Sequence, residues 1–150
     1  MARTGVMSEG LPTDAAEGVL AANQDFYRAF EQRDLAAMES LWAAVAPVAC
    51  IHPGWNALRG RDLVLASWRS ILGNRDVPLV VCENASVHVF GETAFVICEE
   101  HVGHSMLIAT NVFVHEHTRW KMVHHQSSPV SPDAYEFTRA PRRESGPTFN

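Results

Sequence analysis

Three imidazoles and one carboxylate are the groups in this chain best able to move a proton. His52 lies in the segment CIHPGWNALRGRD, which carries turn signals at Pro53-Gly54 and Gly60. An imidazole with an ordinary pKa of ~6.5 is largely neutral and basic near pH 7, so His52 is a candidate general base. Glu99 and His101 stand two apart on a β-periodic segment and therefore share a face, where a carboxylate could orient an imidazole. His124 belongs to the last such segment, ATNVFVHEHTRWKMVHHQSSPV. Alternation back from Ser128 places Gln126, His124, Met122 and Trp120 on one face, and Lys121, Val123 and His125 on the other. With His52 between two of them, Trp42, Trp55 and Trp68 are either core residues or the walls of an aromatic cavity suited to a ring-containing ligand.

The elements that must hold these residues follow from apolar periodicity. Thr13 or Asp14 offers an N-cap for a helix to about Arg33, with Val19, Ala22, Phe26 and Phe30 as its core stripe. Asp34 caps a second helix, with Leu35, Met38, Leu41 and Trp42 inward, that Pro47 ends. A short strand around His52 leads to a third helix over 63–72, with Val64, Trp68 and Ile71 inward. The period then becomes two, giving strands near 79–90, 93–102, 106–116 and 119–127. Three helices followed by a consecutive antiparallel sheet is an α+β pattern. Residues 1–12 are expected to be disordered, 13–130 to form the domain, and 131–150 to be a loosely held tail able to wrap a partner subunit.

Composition removes several classes. The chain has 150 residues, 47% of them hydrophobic, enough for one core and too few for two domains. Twelve basic against 17 acidic residues give a net charge of −5, which opposes nucleic-acid backbone binding. Cys50, Cys82 and Cys98 form no closely spaced pair, and with no apolar leader in MARTGVMSEGLPTD a reducing, cytoplasmic setting is expected. No apolar run reaches membrane-spanning length. The eight histidines match no closed zinc pattern, and His115-Glu116-His117 falls at a hairpin tip, so neither a metal nor a cofactor is expected.

Three segments in this order, FYRAFEQRDLAAMESLW, HPGWNALRGRDLVLASW and the closing Trp120, His124, Gln126, Ser128 series, resemble the nuclear transport factor 2-like superfamily and its SnoaL-like group. The closing pattern of that group often carries a second His where Gln126 stands. The resemblance covers roughly residues 15–130. It implies a cone: a curved antiparallel sheet wrapped around the three N-terminal helices, with an internal pocket on the concave side and an outer face that commonly pairs two subunits.

Within that resemblance, His52-Pro53 takes the place of the Asp-Pro pair whose Asp shuttles the proton in ketosteroid isomerases, whereas the isomerase Tyr falls at Phe26. Tyr27 is one residue on, about 100° around the helix. Asn111 and His124 align with cavity-facing positions, either as ligand contacts or as buried groups satisfying each other. Polar residues on the corresponding strand of the superfamily's kinase association domain face its cavity, which favours the same for Glu99 and His101 over an exposed pair. The expected function is a homodimeric small-molecule pocket acting on a mostly apolar ligand by cofactor-independent isomerisation, dehydration or cyclisation. His52, His124, Glu99 and His101 would move or orient the proton, and Trp42, Trp55, Trp68, Asn111 and Gln126 would hold the ligand. The alternative is a non-catalytic binding or assembly module whose cavity is structural.

Overall fold

In the computed structural model, which describes residues 11–139, three helices lie in the concave face of one curved six-stranded sheet. The elements are α1 (Leu11–Gln32), α2 (Leu35–Leu41), β1 (Ala49–Ile51), β2 (Leu58–Arg59), α3 (Arg61–Gly73), β3 (Val81–Phe90), β4 (Thr93–Val102), β5 (Ser105–Glu116), β6 (Arg119–Pro129) and α4 (Pro132–Arg139). The strand order is β2-β1-β6-β5-β4-β3. All pairs are antiparallel except β1 with β6, which run parallel and set Cys50 beside His125. The expected α+β cone is the observed architecture, and two short strands join the four-strand meander at its β6 edge.

α1 buries a wide face. Val19, Ala22, Phe26 and Ala29 recur at helical spacing, and Asn23 and Tyr27, one position further round, are buried with them. The stripe is broader than a single packing seam because the curved sheet wraps the helix and touches it through β3, β4 and β6. Leu11 already belongs to this helix, so it starts before the Thr13 or Asp14 cap read from the sequence. Residues 1–10, placed in a disordered N-terminus from the sequence, lie outside the described residues, as do 140–150 of the expected tail. Pro132–Arg139 of that tail form α4. No described helix is long and apolar enough to cross a membrane.

The α1–α2 junction turns on Arg33, whose φ of 53° is the left-handed region usually reserved for glycine. Its amide donates to Phe30 O at 3.2 Å, and Asp34 then caps α2 by accepting from the Ala37 amide at 3.0 Å. The Arg33 side chain offsets its backbone strain. Its guanidinium donates to the carbonyls of Asn74 at 2.7 Å and Val77 at 2.8 Å, with longer contacts to Leu72 and Arg75. These bonds clamp the α3–β3 loop, which forms part of the cleft wall described below.

One feature of β6 overturns the alternation read from the sequence. Phe113 pairs with Met122, but Val112 pairs with His124, so Val123 is an extra residue in a β-bulge. Side-chain parity reverses across it. Met122, His125 and Ser127 are all buried on the concave face, and His124 and Gln126 turn to the convex one.

Arg33→Ala is expected to cost about 1–3 kcal/mol, the range for losing hydrogen bonds to a charged donor. It should also speed hydrogen exchange in the 74–77 segment selectively. Urea unfolding and amide exchange measure both; uniform exchange changes across the domain would contradict the clamp.

Candidate functional site

A cleft of about 450 Å³ opens between α3, the α3–β3 loop and the concave sheet. Its walls are mainly apolar, including Phe30, Trp68, Ile71, Val80 and Leu107, and its polar groups are few: His52, Glu100 and His125 stand out. Glu100 follows Val96 and Cys98 on the inward face of β4, His125 arrives by the β6 bulge, and β1 carries His52 in from the neighbouring edge. Among the described residues no Lys or Arg lines the cleft.

Glu100 is 5% exposed, so its carboxyl has been taken out of water and must be compensated. Tyr27 donates its hydroxyl to Oε1 at 2.7 Å, and Ser127 donates to Oε2 at 2.5 Å. Burial still raises the Glu100 pKa; the two hydroxyls pull the other way. His125 Nε2 sits 3.9 Å from Glu100 Oε1.

The tautomer of His125 follows from its neighbours. Asn111 donates through Nδ2 to Asn23 Oδ1 at 2.8 Å and to the Tyr27 hydroxyl at 3.2 Å, which leaves its Oδ1 to accept from His125 Nδ1 at 2.6 Å. The proton is therefore on Nδ1, and Nε2 presents a lone pair on the Glu100 side. Burial lowers the His125 pKa to about 3, with the His52 and His124 rings adding to the effect, so the ring is neutral at physiological pH.

His52 is fixed by the same logic. The Ser67 hydroxyl donates to Val64 O at 2.6 Å, so its oxygen accepts from His52 Nε2 at 2.9 Å. Burial lowers this ring to about 4. The His52 ring meets Trp68 edge-on at 4.8 Å between centroids and Trp55 at 5.0 Å, with His125 at 6.4 Å. Trp55 is 48% exposed and forms the rim.

Of the residues singled out from the sequence, His52, Trp55 and Trp68 line this cleft. Asn111 is buried behind it as the partner of His125, where His124 was expected. The others stand elsewhere. His124 and Gln126 point to the convex side because the Val123 bulge shifts the alternation, and His124 Nδ1 contacts the Ala49 carbonyl at 3.0 Å. Trp42 is buried in the core, bridged to Met122, and is absent from the cleft wall. Glu99 and His101 also face outward, being odd-numbered partners of an alternation in which Ala94, Val96, Cys98 and Glu100 fill the core side. There His101 Nε2 lies 3.0 Å from Glu99 and 3.4 Å from Glu83, and Asn84 donates to Glu99.

The residues that sequence reasoning passed over are Glu100, His125, Tyr27, Ser67, Ser127 and Asn23. A signal existed for one of them: Glu100 continues the Val96, Cys98 series of an apolar strand face, where a carboxylate has to be compensated. Tyr27 was set aside for its rotation from Phe26. The wrapped sheet receives both positions, Phe26 against Trp68 and His125, and Tyr27 against Glu100. Glu116, at the hairpin tip, is a structural tie whose carboxylate accepts from the amides of Ala44, Val45 and Ala46, and these bonds lower its pKa.

The sequence model of the SnoaL-like domain family matches residues 19–132. A structure described as a dehydratase of the nuclear transport factor 2-like family, from Streptomyces avermitilis, is 34% identical, covers 80% of this chain and 99% of its own, and superposes with a TM-score of 0.73. A structure described as a calcium/calmodulin-dependent protein kinase type II association domain, from Thiobacillus denitrificans, is 33% identical over 75% of this chain and 94% of its own, with a TM-score of 0.67. Among curated proteins, the F-box protein SKIP8 of Arabidopsis thaliana is 28% identical over 117 residues, 77% of this chain. The chain spans about half the length of that relative, 51%.

Stability should depend on the two buried imidazoles. Each has a folded pKa far below the unfolded ~6.5, so acidification protonates the unfolded state first. Their contribution is complete above pH 6.5 and is lost as pH falls toward about 4 for His52 and about 3 for His125. Glu100 works in the opposite sense, because its charged form is the costly one and protonation relieves it. Between pH 5.5 and 4.5, His125→Gln should show a slope of unfolding free energy against pH shallower than that of the unaltered protein by about 1.4 kcal/mol per unit. Denaturant titrations at three pH values measure it, and equal slopes would contradict a neutral buried His125.

Proposed function

The chain belongs to the SnoaL-like domain family, and on that premise we propose that its cleft binds a small, mostly apolar, uncharged molecule and moves a proton on it without a cofactor. Such steps comprise isomerisation, dehydration and cyclisation, and dehydration suits these residues best. The carrying observation is the pairing of a neutral His125 Nε2 lone pair with the Glu100 carboxyl, 3.9 Å apart at an apolar wall. In a β-hydroxy carbonyl compound, His125 would take the hydrogen next to the carbonyl while Glu100, its pKa raised by burial, would deliver a proton to the departing hydroxyl. Proton and leaving group depart from one side of the substrate, as neighbouring acid and base require. Support comes from the dehydratase description of the Streptomyces avermitilis relative.

The charge pattern sets the ligand class. A carboxylate or phosphate ligand would be desolvated beside Glu100 with no lining cation to meet it, which costs several kcal/mol. His52 and Asn111 act as positioning residues in this reading, His52 by holding the Trp55 and Trp68 rings and Asn111 by fixing the His125 tautomer. The test begins with a thermal-shift screen of cyclic β-hydroxyketones against matched carboxylic acids, followed by turnover of any stabilising compound. Glu100→Gln and His125→Ala should each lower kcat by about 10²–10⁴-fold. His124→Ala, on the convex side, should stay near the parent rate. Selective binding of the acids, or loss of turnover through His124 in place of His125, would overturn the reading.

The convex face suggests a partner as well. Val81, Phe90 and Ile97 are exposed on it, and an antiparallel sheet packed on one side only leaves such a face for solvent or a second subunit. A second copy of this chain is the proposed occupant, in line with the association-domain description of the Thiobacillus relative. Light scattering at micromolar concentration should give twice the 16.6 kDa chain mass, and Ile97→Asp should return it to one. A monomeric parent protein would remove this proposal and leave the cleft reading intact.

A further inference from the structure

Glu83, Glu99 and His101 stand outside the cleft and take no part in the proton transfer above. Glu99 and His101 lie on the convex face of β4, and Glu83 is the register partner of Glu99 on β3, so all three share that face. Carboxylates directly opposite each other on neighbouring strands repel. Among the described residues, the ion pairs of Glu83 and Glu99 are with His101 alone, whose Nε2 lies 3.0 Å from Glu99 Oε2 and 3.4 Å from Glu83 Oε2. The set is therefore more than a patch of negative charge, because a nitrogen donor sits within reach of both carboxylates. No ligand spacing along the chain announces it, since residue 83 meets residues 99 and 101 only through the β3–β4 register.

We propose that Glu83, Glu99 and His101 form a binding site for one divalent transition-metal ion of the zinc type, which ties the edge strand β3 to β4. The geometry carries the assignment. The three donor atoms all lie within 4.8 Å of one another. Around a tetrahedral zinc ion, with bonds of about 2.0–2.2 Å, neighbouring ligand atoms are ~3.3–3.6 Å apart. The two imidazole–carboxylate edges, at 3.0 and 3.4 Å, are already close to that spacing. The edge between the two carboxylates is the one an ion must draw in, and the Glu83 side chain, 57% exposed, has the freedom to turn inward.

The donor chemistry narrows the ion. An imidazole nitrogen beside two carboxylates suits zinc and its first-row neighbours better than calcium or magnesium, whose ligands are oxygens. In the metal-bound form His101 carries its proton on Nδ1 and presents the Nε2 lone pair. Two carboxylates balance the two positive charges, and the solvent side of the set leaves a fourth position for water. Asn84 supports the arrangement by donating through Nδ2 to Glu99 Oε2 at 3.0 Å, which fixes the oxygen that faces His101. It reaches that oxygen from a bulge between Glu83 and Ser86, where its φ is 52°. The same bulge interrupts the ladder of an edge strand, and an ion held by Glu83 on one side and by Glu99 and His101 on the other restores a tie there.

The full chain, free of any added histidine tag, is titrated with zinc chloride by calorimetry. One zinc per chain should bind, and calcium or magnesium in excess should not displace it. His101→Gln and Glu99→Gln should each abolish that binding while keeping the parent circular dichroism spectrum. If either fails to fold, Glu83→Gln, at the most exposed of the three positions, makes the same test. Asn84→Gly, which tolerates the positive φ, should weaken binding by about 10–100-fold. Amide exchange over residues 81–84 should slow in the zinc-bound protein. The site is overturned by absence of binding at millimolar zinc, by binding that survives His101→Gln, or by binding lost on replacing His115 or His117 at the hairpin tip instead. Half a zinc per chain would overturn it too, since the ion would then be shared between two copies. Bound zinc with unchanged exchange over 81–84 would overturn the tie to β3. No arm of the test draws on turnover, so its outcome is separate from the reaction proposed for the cleft.

Discussion

Removing the Glu100 carboxyl from water is the constraint around which this molecule is arranged. A buried carboxylate without partners would cost more than a domain of this size can spare, so the surrounding elements converge on it. Tyr27 comes from the long helix and Ser127 from the last strand, and both spend their hydroxyl protons on the same group. Asn111 then ties Tyr27, Asn23 and His125 into one array, so each donor is committed and the His125 tautomer is set. Helix α1 is thereby keyed to three adjacent strands by polar as well as apolar contacts. Because a half-satisfied buried array is worse than an apolar core, single changes within it should act together.

The same array sets the electrostatics of the cleft. Burial keeps both imidazoles neutral and pushes the carboxyl up, which separates basic from acidic character within one site. The aromatic wall of Trp68, Phe30 and Trp55 supplies area, and the ring of Phe26 backs both Trp68 and His125. Arg33 contributes from a distance by holding the loop over the cleft. The fold alone does not select among the activities found on such cones, and the reaction proposed above rests on the placement of Glu100 against His125.

Much of this was legible in the sequence. Helical spacing located the three helices, and period-two alternation located the four long strands. The resemblance carried by FYRAFEQRDLAAMESLW and HPGWNALRGRDLVLASW led to the α+β cone. His52, Trp55 and Trp68 were legible as a cluster because they lie within one short segment that must fold back on itself. What a sequence determines in this way is local: the period of apolar residues, the positions where a backbone must turn, and the chemical types available.

Which of two adjacent histidines faces inward is of a different kind. One extra residue in a ladder reverses every side chain beyond it, and Val123 is chemically an ordinary strand residue that announces no bulge. The bulge exists only relative to β5, so His125 displaces His124 through a pairing that no single strand encodes. Tyr27 likewise enters the site because the sheet curves around α1, a property of six strands together. The sequence determined the elements and the chemical inventory, since these follow from neighbours along the chain. The tertiary structure decided the meeting of Glu100, His125 and Tyr27, since register and curvature arise only when separate strands pair.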